Sequence, residues 1–232
     1  MNSSHPNEIL KMDLSGGDDD WSPTPHGQLL ALALAENNLV RGKSVLELGA
    51  GVGNHTILLL RQGATSMVVT EITTERLETT RSNVERNMEP PWPEPNIEYR
   101  ASDWLATEGR FDVLVTNPPF MVSGKQNRRY FIDSLILDSH KRLNPGGTLV
   151  FVQSSMADTA KSIRRLEENG YAVRALATSR GPFRDYYFED PTFMEEIQAV
   201  PDGFELKDGE YTETLTVLCA ELQPYSPPGI AH

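Results

Sequence analysis

The chain has 232 residues and one cysteine, Cys219, so no internal disulfide braces it. Cys219 alternates within an apolar run and reads as core. Long apolar runs are missing as well: no stretch of about 18 residues is apolar enough to cross a bilayer, so no membrane partner is expected. Met1 to Pro6 lacks the basic-then-apolar order of a secretory leader, which makes the cytoplasm the expected compartment. Basic residues are few. There are 21 Lys and Arg against 33 Asp and Glu, a formal charge of -12, and this balance argues against a phosphate backbone as partner. Nucleic acid is therefore expected not to bind, with Lys125, Arg128 and Arg129 read as solvated surface. His26, His55 and His140 lack metal-ligand spacing to one another or to Cys219, so no metal is expected.

What is present is a rhythm. Residues 1–25 are polar, acidic at Asp18 to Asp20 and broken by Pro23 and Pro25, which predicts a flexible arm. From there the pattern predicts helix 26–38, strand 44–49, helix 53–62, strand 66–71, helix 74–87 and strands 96–101 and 111–116. It continues with helix 127–143, strand 147–153, helix 158–169, strand 171–178 and strand 213–221. Such alternation implies an α/β, Rossmann-like sheet of seven mostly parallel strands covered on both faces. The last strand has no helix before it and is expected to enter antiparallel. One catalytic domain, 26–222, is the expectation, followed by a short tail, 223–232.

Two motifs follow strands. In Glu47-Leu48-Gly49-Ala50-Gly51-Val52-Gly53 the glycines allow a sharp turn and close approach of a ligand to the backbone. A dinucleotide fingerprint needs a sixth-place glycine, but Asn54 stands there, which disfavours a nicotinamide cofactor. Glu71 ends the second strand about twenty residues on, where a carboxylate can accept both hydroxyls of a ribose. After the third strand, Asp103 suits the amino group of an adenine. Trp104 has two readings, a cover for that ring or an ordinary packing aromatic.

Asn117-Pro118-Pro119-Phe120 ends the fourth strand. A conjugated nitrogen is a weak nucleophile and must be held with its hydrogens engaged. The Asn117 side-chain oxygen and the Pro118 carbonyl can accept two N–H groups, the prolines stiffen the turn, and Phe120 can lie against a planar group.

Residues 180–211 lie between the sixth strand and the last, longer than a hairpin needs, and read as a lid-like insertion. Arg184, Tyr186 and Tyr187 within it are substrate-side candidates, the arginine for a carboxylate and the rings for a cation. His26 joins them from the start of the first helix, either as a base or as a helix-start residue.

These motifs resemble the class I S-adenosylmethionine-dependent methyltransferases. Within them the chain is similar to the small HemK-like group with Asn-Pro-Pro-(Tyr/Phe), which includes protein glutamine, ribosomal-RNA guanine-N2 and adenine-N6 methyltransferases. The likeness spans about residues 22–180 and includes Pro145-Gly146-Gly147. It implies that Glu47, Gly49, Gly51 and Gly53 surround the methionine part of S-adenosylmethionine, that Glu71 holds its ribose, and that Asp103 and Trp104 border adenine. Asn117, Pro118 and Phe120 would hold the acceptor, with the Phe120 face also attracting the sulfonium. Phe120 stands where HemK-type enzymes usually have Tyr, and no separate recognition domain is visible. A small-molecule or protein-side-chain acceptor, N-methylated at an amide, amine or other planar nitrogen, is therefore expected. Three alternatives stay open: cyclisation of the cofactor to azetidine-2-carboxylate with release of methylthioadenosine, RNA N-methylation, and a noncatalytic nucleoside-binding subunit.

Overall fold

Valine and leucine alternate along the central strands, and the alternation assigns them to opposite faces of one sheet. In β4 (Phe111–Thr116), Val113 and Val115 enter one core and Leu114 the other, as the two-residue period of a strand requires. The structure, a computed structural model, describes residues 11–15, 24–90, 92, 94, 96–120 and 128–224.

The remaining strands are β1 (Ser44–Leu48), β2 (Ser66–Glu71), β3 (Ile97–Ala101), β5 (Leu143–Ser154), β6 (Tyr171–Pro182), β7 (Glu205–Lys207) and β8 (Glu210–Leu222). Their order is β3-β2-β1-β4-β5-β8-β6, with β7 paired to β8. β1 to β5 run parallel, while β8 is antiparallel to both β5 and β6. The sheet is thus the mostly parallel one expected, with its last strand reversed and the short β7 added.

Helices α1 (Pro25–Asn37), α2 (Asn54–Arg61) and α3 (Thr74–Asn87) cover the valine face through Leu30, Ile57 and Val84. On the leucine face, α4 (Tyr130–Asp138) and α5 (Thr159–Glu168) contribute Ile132, Leu135 and Leu166. Thr24 caps α1 by accepting the Gly27 N–H at 3.2 Å, and Pro25 occupies the first turn, where its missing N–H costs nothing.

Four features depart from the sequence pattern. Helix 127–143 is shorter, because α4 gives way to a 3-10 turn at Ser139–Lys141; Asn127 lies outside the described residues. β5 starts earlier, at Leu143, and carries Pro145 and Gly146 through a register irregularity against β4. Gly147 is required there, since a Cβ would stand 2.8 Å from the Asn144 carbonyl oxygen.

Part of the expected free arm is tied down. Asn87 accepts the Asp13 N–H at 2.9 Å and donates back to the Asp13 carbonyl at 2.7 Å, and Asn83 holds Ser15 the same way at 2.9 and 2.8 Å. Asn83 also donates to the Val52 carbonyl, so one amide links this segment to the glycine loop. Residues 1–10 and 16–23 of the arm lie outside the described residues.

Residues 180–211 are folded rather than a plain loop. They hold the end of β6, a 3-10 turn at Asp185–Tyr187, α6 (Pro191–Gln198) and β7. Phe183, Tyr187, Phe193 and Ile197 form with Met156 a separate buried cluster that anchors this segment.

Candidate active site

Strand register assembles the site. Leu48 pairs with Thr70 on one side and Thr116 on the other, so the next residues, Gly49, Glu71 and Asn117, stand side by side at the carboxyl edge of the sheet. The Gly49 N–H donates to the Thr70 carbonyl at 3.0 Å and the Thr116 hydroxyl to the Leu48 carbonyl at 2.9 Å, which fixes the three strand ends together. Glu71 pairs with Ala101 of β3, and this brings Ser102 and Asp103 to the same edge.

The loop glycines have two different causes. Gly49 and Gly51 have φ of +69° and +59°, and among the described residues a Cβ at either would meet no atom within 4 Å beyond its chain neighbours. Both would project into open space, as a ligand cradle requires. Gly53 has φ of +86°, and its Cβ would lie 3.0 Å from Thr80 Cγ2, so there the protein itself excludes a side chain.

Glu71 turns both oxygens to the backbone: Oε1 accepts the Gly51 N–H at 2.8 Å and Oε2 the Ile72 N–H at 3.0 Å. Each oxygen keeps a lone pair for a ligand hydroxyl. A cavity of about 320 Å3 lies over this edge, lined by Gly49, Glu71, Asp103, Trp104 and Asn117 among others. Trp104 has φ of +46°, an uncommon conformation for a bulky residue. Its indole N–H donates to Ser134 Oγ at 2.8 Å, and Phe131 meets the ring edge-on at 5.0 Å, so the wall of the cavity is held rigidly.

Glu47 is 1% exposed behind the loop. Burial pushes its pKa up to about 8; the Thr56 hydroxyl, donating at 2.5 Å, opposes the shift and the Glu71 charge adds to it. His55 Nδ1 lies 3.9 Å from Glu47 while Nε2 donates to the Gly27 carbonyl at 3.0 Å, and burial lowers the His55 pKa. A carboxyl in this state is poised for a cationic ligand, whose charge would offset the cost of ionising it. Open glycine backbone, a buried acid and a bonded strand-end carboxylate together suit a sulfonium nucleoside with an amino-acid arm.

A second cavity, about 160 Å3, adjoins the first and is lined by the whole of Asn117 to Phe120 together with Thr24, His26, Arg184, Tyr186 and Tyr187. Asn117 and Pro119 line both. Asn117 makes no hydrogen bond among the described residues, which leaves its amide available. Phe120 packs edge-on against Phe193. Tyr186 is exposed and accepts an Arg184 N–H at 2.9 Å.

Tyr187 differs from the expectation: it is 1% exposed, its hydroxyl donates to Glu213 at 3.2 Å, and burial first, then the Glu213 charge, raises its pKa. It is a packing wall more than a free ring. His26 is unsuited to act as a base, because burial and the nearby Arg184 bring its pKa down to about 4. Arg128 and Arg129 are engaged rather than merely solvated, by Asp190 and Glu196 and by Asp133; Lys125 lies outside the described residues.

Sequence reasoning missed Gly27, whose Cβ position would lie 3.8 Å from the Asn117 amide nitrogen, and Glu213. The Thr24-Pro25 helix start was a legible local signal near the first, since a threonine before a first-turn proline marks a capped N-terminus. Nothing local marked Glu213.

A mostly parallel sheet with a reversed last strand, a glycine cradle and a strand-end carboxylate define a nucleoside-binding α/β enzyme of the class I methyltransferase fold. The family model described as "Methyltransferase small domain" matches residues 25–181. The chain belongs to this family of S-adenosylmethionine-dependent methyltransferases.

Among its relatives, a Methanocaldococcus jannaschii chain provisionally named a protein N5-glutamine methyltransferase is 26% identical over 63% of this chain and 79% of its own. Ribosomal RNA small subunit methyltransferase C of Haemophilus influenzae is 30% identical over 65% of this chain and 42% of its own. A solved T. thermophilus 16S ribosomal RNA guanine-N2 methyltransferase, in complex with AdoMet and guanosine, is 26% identical, covers 89% of this chain and 45% of its own, and has a TM-score of 0.55. The chain spans less than half the length of these two ribosomal RNA enzymes. They correct the expectation drawn from net charge. Relatives with this fold act on ribosomal RNA, so an acidic total of -12 does not exclude a nucleic-acid substrate. Net charge is a sum over the whole surface, whereas binding depends on the local field and on the acceptor pocket.

Proposed function

We propose that residues 26–222 form one catalytic domain that N-methylates a planar, conjugated nitrogen, the kind of group carried by a glutamine amide or a guanine. One observation carries this reading: Asn117 and Pro119 belong to both cavities, so a nitrogen held at Asn117 borders the nucleoside cradle. The cofactor supplies an activated methyl on a sulfonium. The chain's own residues do the positioning. Gly49 and Gly51 leave room for the amino-acid arm, Glu47 and Glu71 face its cation and its ribose, and Asp103 and Trp104 flank the base. Asn117 Oδ1 and the Pro118 carbonyl accept the two N–H groups of the acceptor, which aims the nitrogen lone pair at the transferring carbon and removes rotational freedom before reaction. Phe120 backs the planar group. The segment 180–211 serves as a lid-side wall, supplying Arg184, Tyr186 and Tyr187, and screens the sulfonium from water as its charge disperses.

Mass spectrometry of the nucleoside products tests the reading. S-adenosylhomocysteine formed together with an N-methylated acceptor is the expected pair. Methylthioadenosine released with no acceptor present would replace methyl transfer by cyclisation of the cofactor.

A further inference from the structure

Two buried polar atoms around the acceptor cavity have no hydrogen-bond partner among the described residues: His26 Nε2 and Glu213 Oε2. The histidine is the informative one, because its proton can be placed. Arg184 Nη2 lies 2.6 Å from His26 Nδ1. A guanidinium only donates, so Nδ1 accepts and the imidazole must carry its proton on Nε2. Arg184 itself is held, donating a second N–H to the Tyr186 hydroxyl and lying in the field of buried Glu213, whose other oxygen takes the Tyr187 hydroxyl. The tautomer is therefore set by a neighbouring side chain of the same cavity, and the ring that lines it carries an N–H donor with no partner among the described residues.

A buried donor without a partner is a cost that a ligand atom can remove. Asn117 and the Pro118 carbonyl offer acceptors in the same cavity. Donor and acceptors in one small cavity match a group with an N–H nitrogen and a lone-pair atom on the same carbon, that is H2N–C=O or H2N–C=N, and mismatch a simple amine.

We propose that His26 is a specificity-determining residue that donates Nε2–H to the carbonyl oxygen or ring nitrogen conjugated to the nitrogen undergoing methylation, with Arg184 as its positioning residue. The proposal rests on the N-methylation reading above. It turns a cavity that accepts any N–H into one that reads the conjugated unit. An alkylamine, which lacks the second atom, leaves the donor unsatisfied and is rejected.

The test uses the full chain loaded with S-adenosylhomocysteine and 15N-labelled at histidine, with guanosine, N-acetylglutamine amide and butylamine as probes. NMR is expected to show His26 protonated at Nε2 alone at neutral pH, with that signal shifted by guanosine or by N-acetylglutamine amide and left in place by butylamine. Which of the first two shifts it tells whether the conjugated unit comes from a purine or a carboxamide. Protonation at Nδ1, no shift with either conjugated probe, or an equal shift with butylamine overturns the proposal. Arg184→Gln should release the tautomer to a mixture.

Kinetics with S-adenosylmethionine give the second arm. His26→Phe should raise the KM of the responsive probe roughly 10- to 100-fold with kcat changed far less, and His26→Gln, which keeps a donor, should recover part of the loss. Cofactor affinity should stay at the wild-type value in both, which separates the role from general damage to the fold. If His26→Phe keeps the wild-type KM, the histidine inference fails while methyl transfer stands. If the wild type yields methylthioadenosine and no methylated probe, the underlying reading fails and the histidine inference falls with it.

Discussion

Phe120, the last residue of the Asn-Pro-Pro-Phe turn, meets Phe193 of α6 edge-on, with ring centroids 6.0 Å apart and planes at 76°. The contact ties the acceptor clamp to the segment between β6 and β8. Phe193 is fully buried, also packs on Tyr187 at 5.3 Å, and has the Arg128 guanidinium over its ring at 5.0 Å. The clamp is thus backed by a folded wall and not by solvent.

Removing that backing should affect the acceptor side alone. Phe193→Ala opens a cavity in a small cluster and is expected to destabilise the fold by about 3 to 5 kcal/mol. Below its melting transition the variant should bind S-adenosylmethionine normally by calorimetry but show a raised acceptor KM. Loss of cofactor affinity in proportion to acceptor affinity would detach Phe193 from the clamp.

Asn117→Ala should lower turnover by roughly two to four decades, about 3 to 5 kcal/mol of transition-state stabilisation, while cofactor affinity changes little. Its amide has no bond to described residues that folding would miss, so the melting temperature should hold. Steady-state kinetics paired with cofactor titration measures both, and wild-type turnover in this variant would reduce Asn117-Pro118 to a plain strand-ending turn.

Gly51 and Gly53 should part company when each is replaced by Val. Both sit at positive φ, so each variant carries backbone strain of about 1 to 2 kcal/mol. At Gly51 the side chain enters the open cradle and should abolish S-adenosylmethionine binding in a protein that still folds. At Gly53 it strikes Thr80, 3.0 Å from the Cβ position, and should cost further stability. Calorimetry and thermal melts distinguish them; similar melting losses with similar retained binding would contradict the cradle assignment.

Glu47 predicts a pH dependence with a definite sign. Its pKa moves from 4.5 to about 8, chiefly through burial. Below the lower value folded and unfolded chains are both protonated. Between the two values the unfolded chain has released the proton and the folded chain keeps it, so stability falls as pH rises and levels off above about 8. Urea titrations from about pH 5 to 9 should show this slope in the wild type and a flatter one in Glu47→Gln. Because a cationic ligand favours the ionised form, S-adenosylmethionine binding near neutral pH should release a proton, read as a buffer-dependent binding enthalpy. Equal slopes in wild type and variant would remove Glu47 as the source.

Much of this was legible in the chain itself. Periodicity gave the parallel strands because a strand buried on both faces must be apolar throughout, as Val113-Leu114-Val115 is. Gly49, Gly51, Glu71 and Asn117 stood out because each follows a strand at the edge where open α/β sheets bind ligands, and register, which adjacent parallel strands share, then aligned them. The β5 start was hidden because Pro145 and Gly146 read as a turn, yet an irregularity in register lets the strand carry them.

Charge composition misled, since a total of -12 carries no information on where the charges lie. The sequence by itself determined the alternating architecture and the residues at the strand ends, because both depend on neighbours within a few positions along the chain. Only the tertiary structure decided the rest: that Gly53 answers to Thr80, that Tyr187 is buried, and that Arg184, 158 residues away, reaches His26. Those are contacts between segments distant in sequence, set by how helices and insertions pack on the sheet, and no local pattern encodes them.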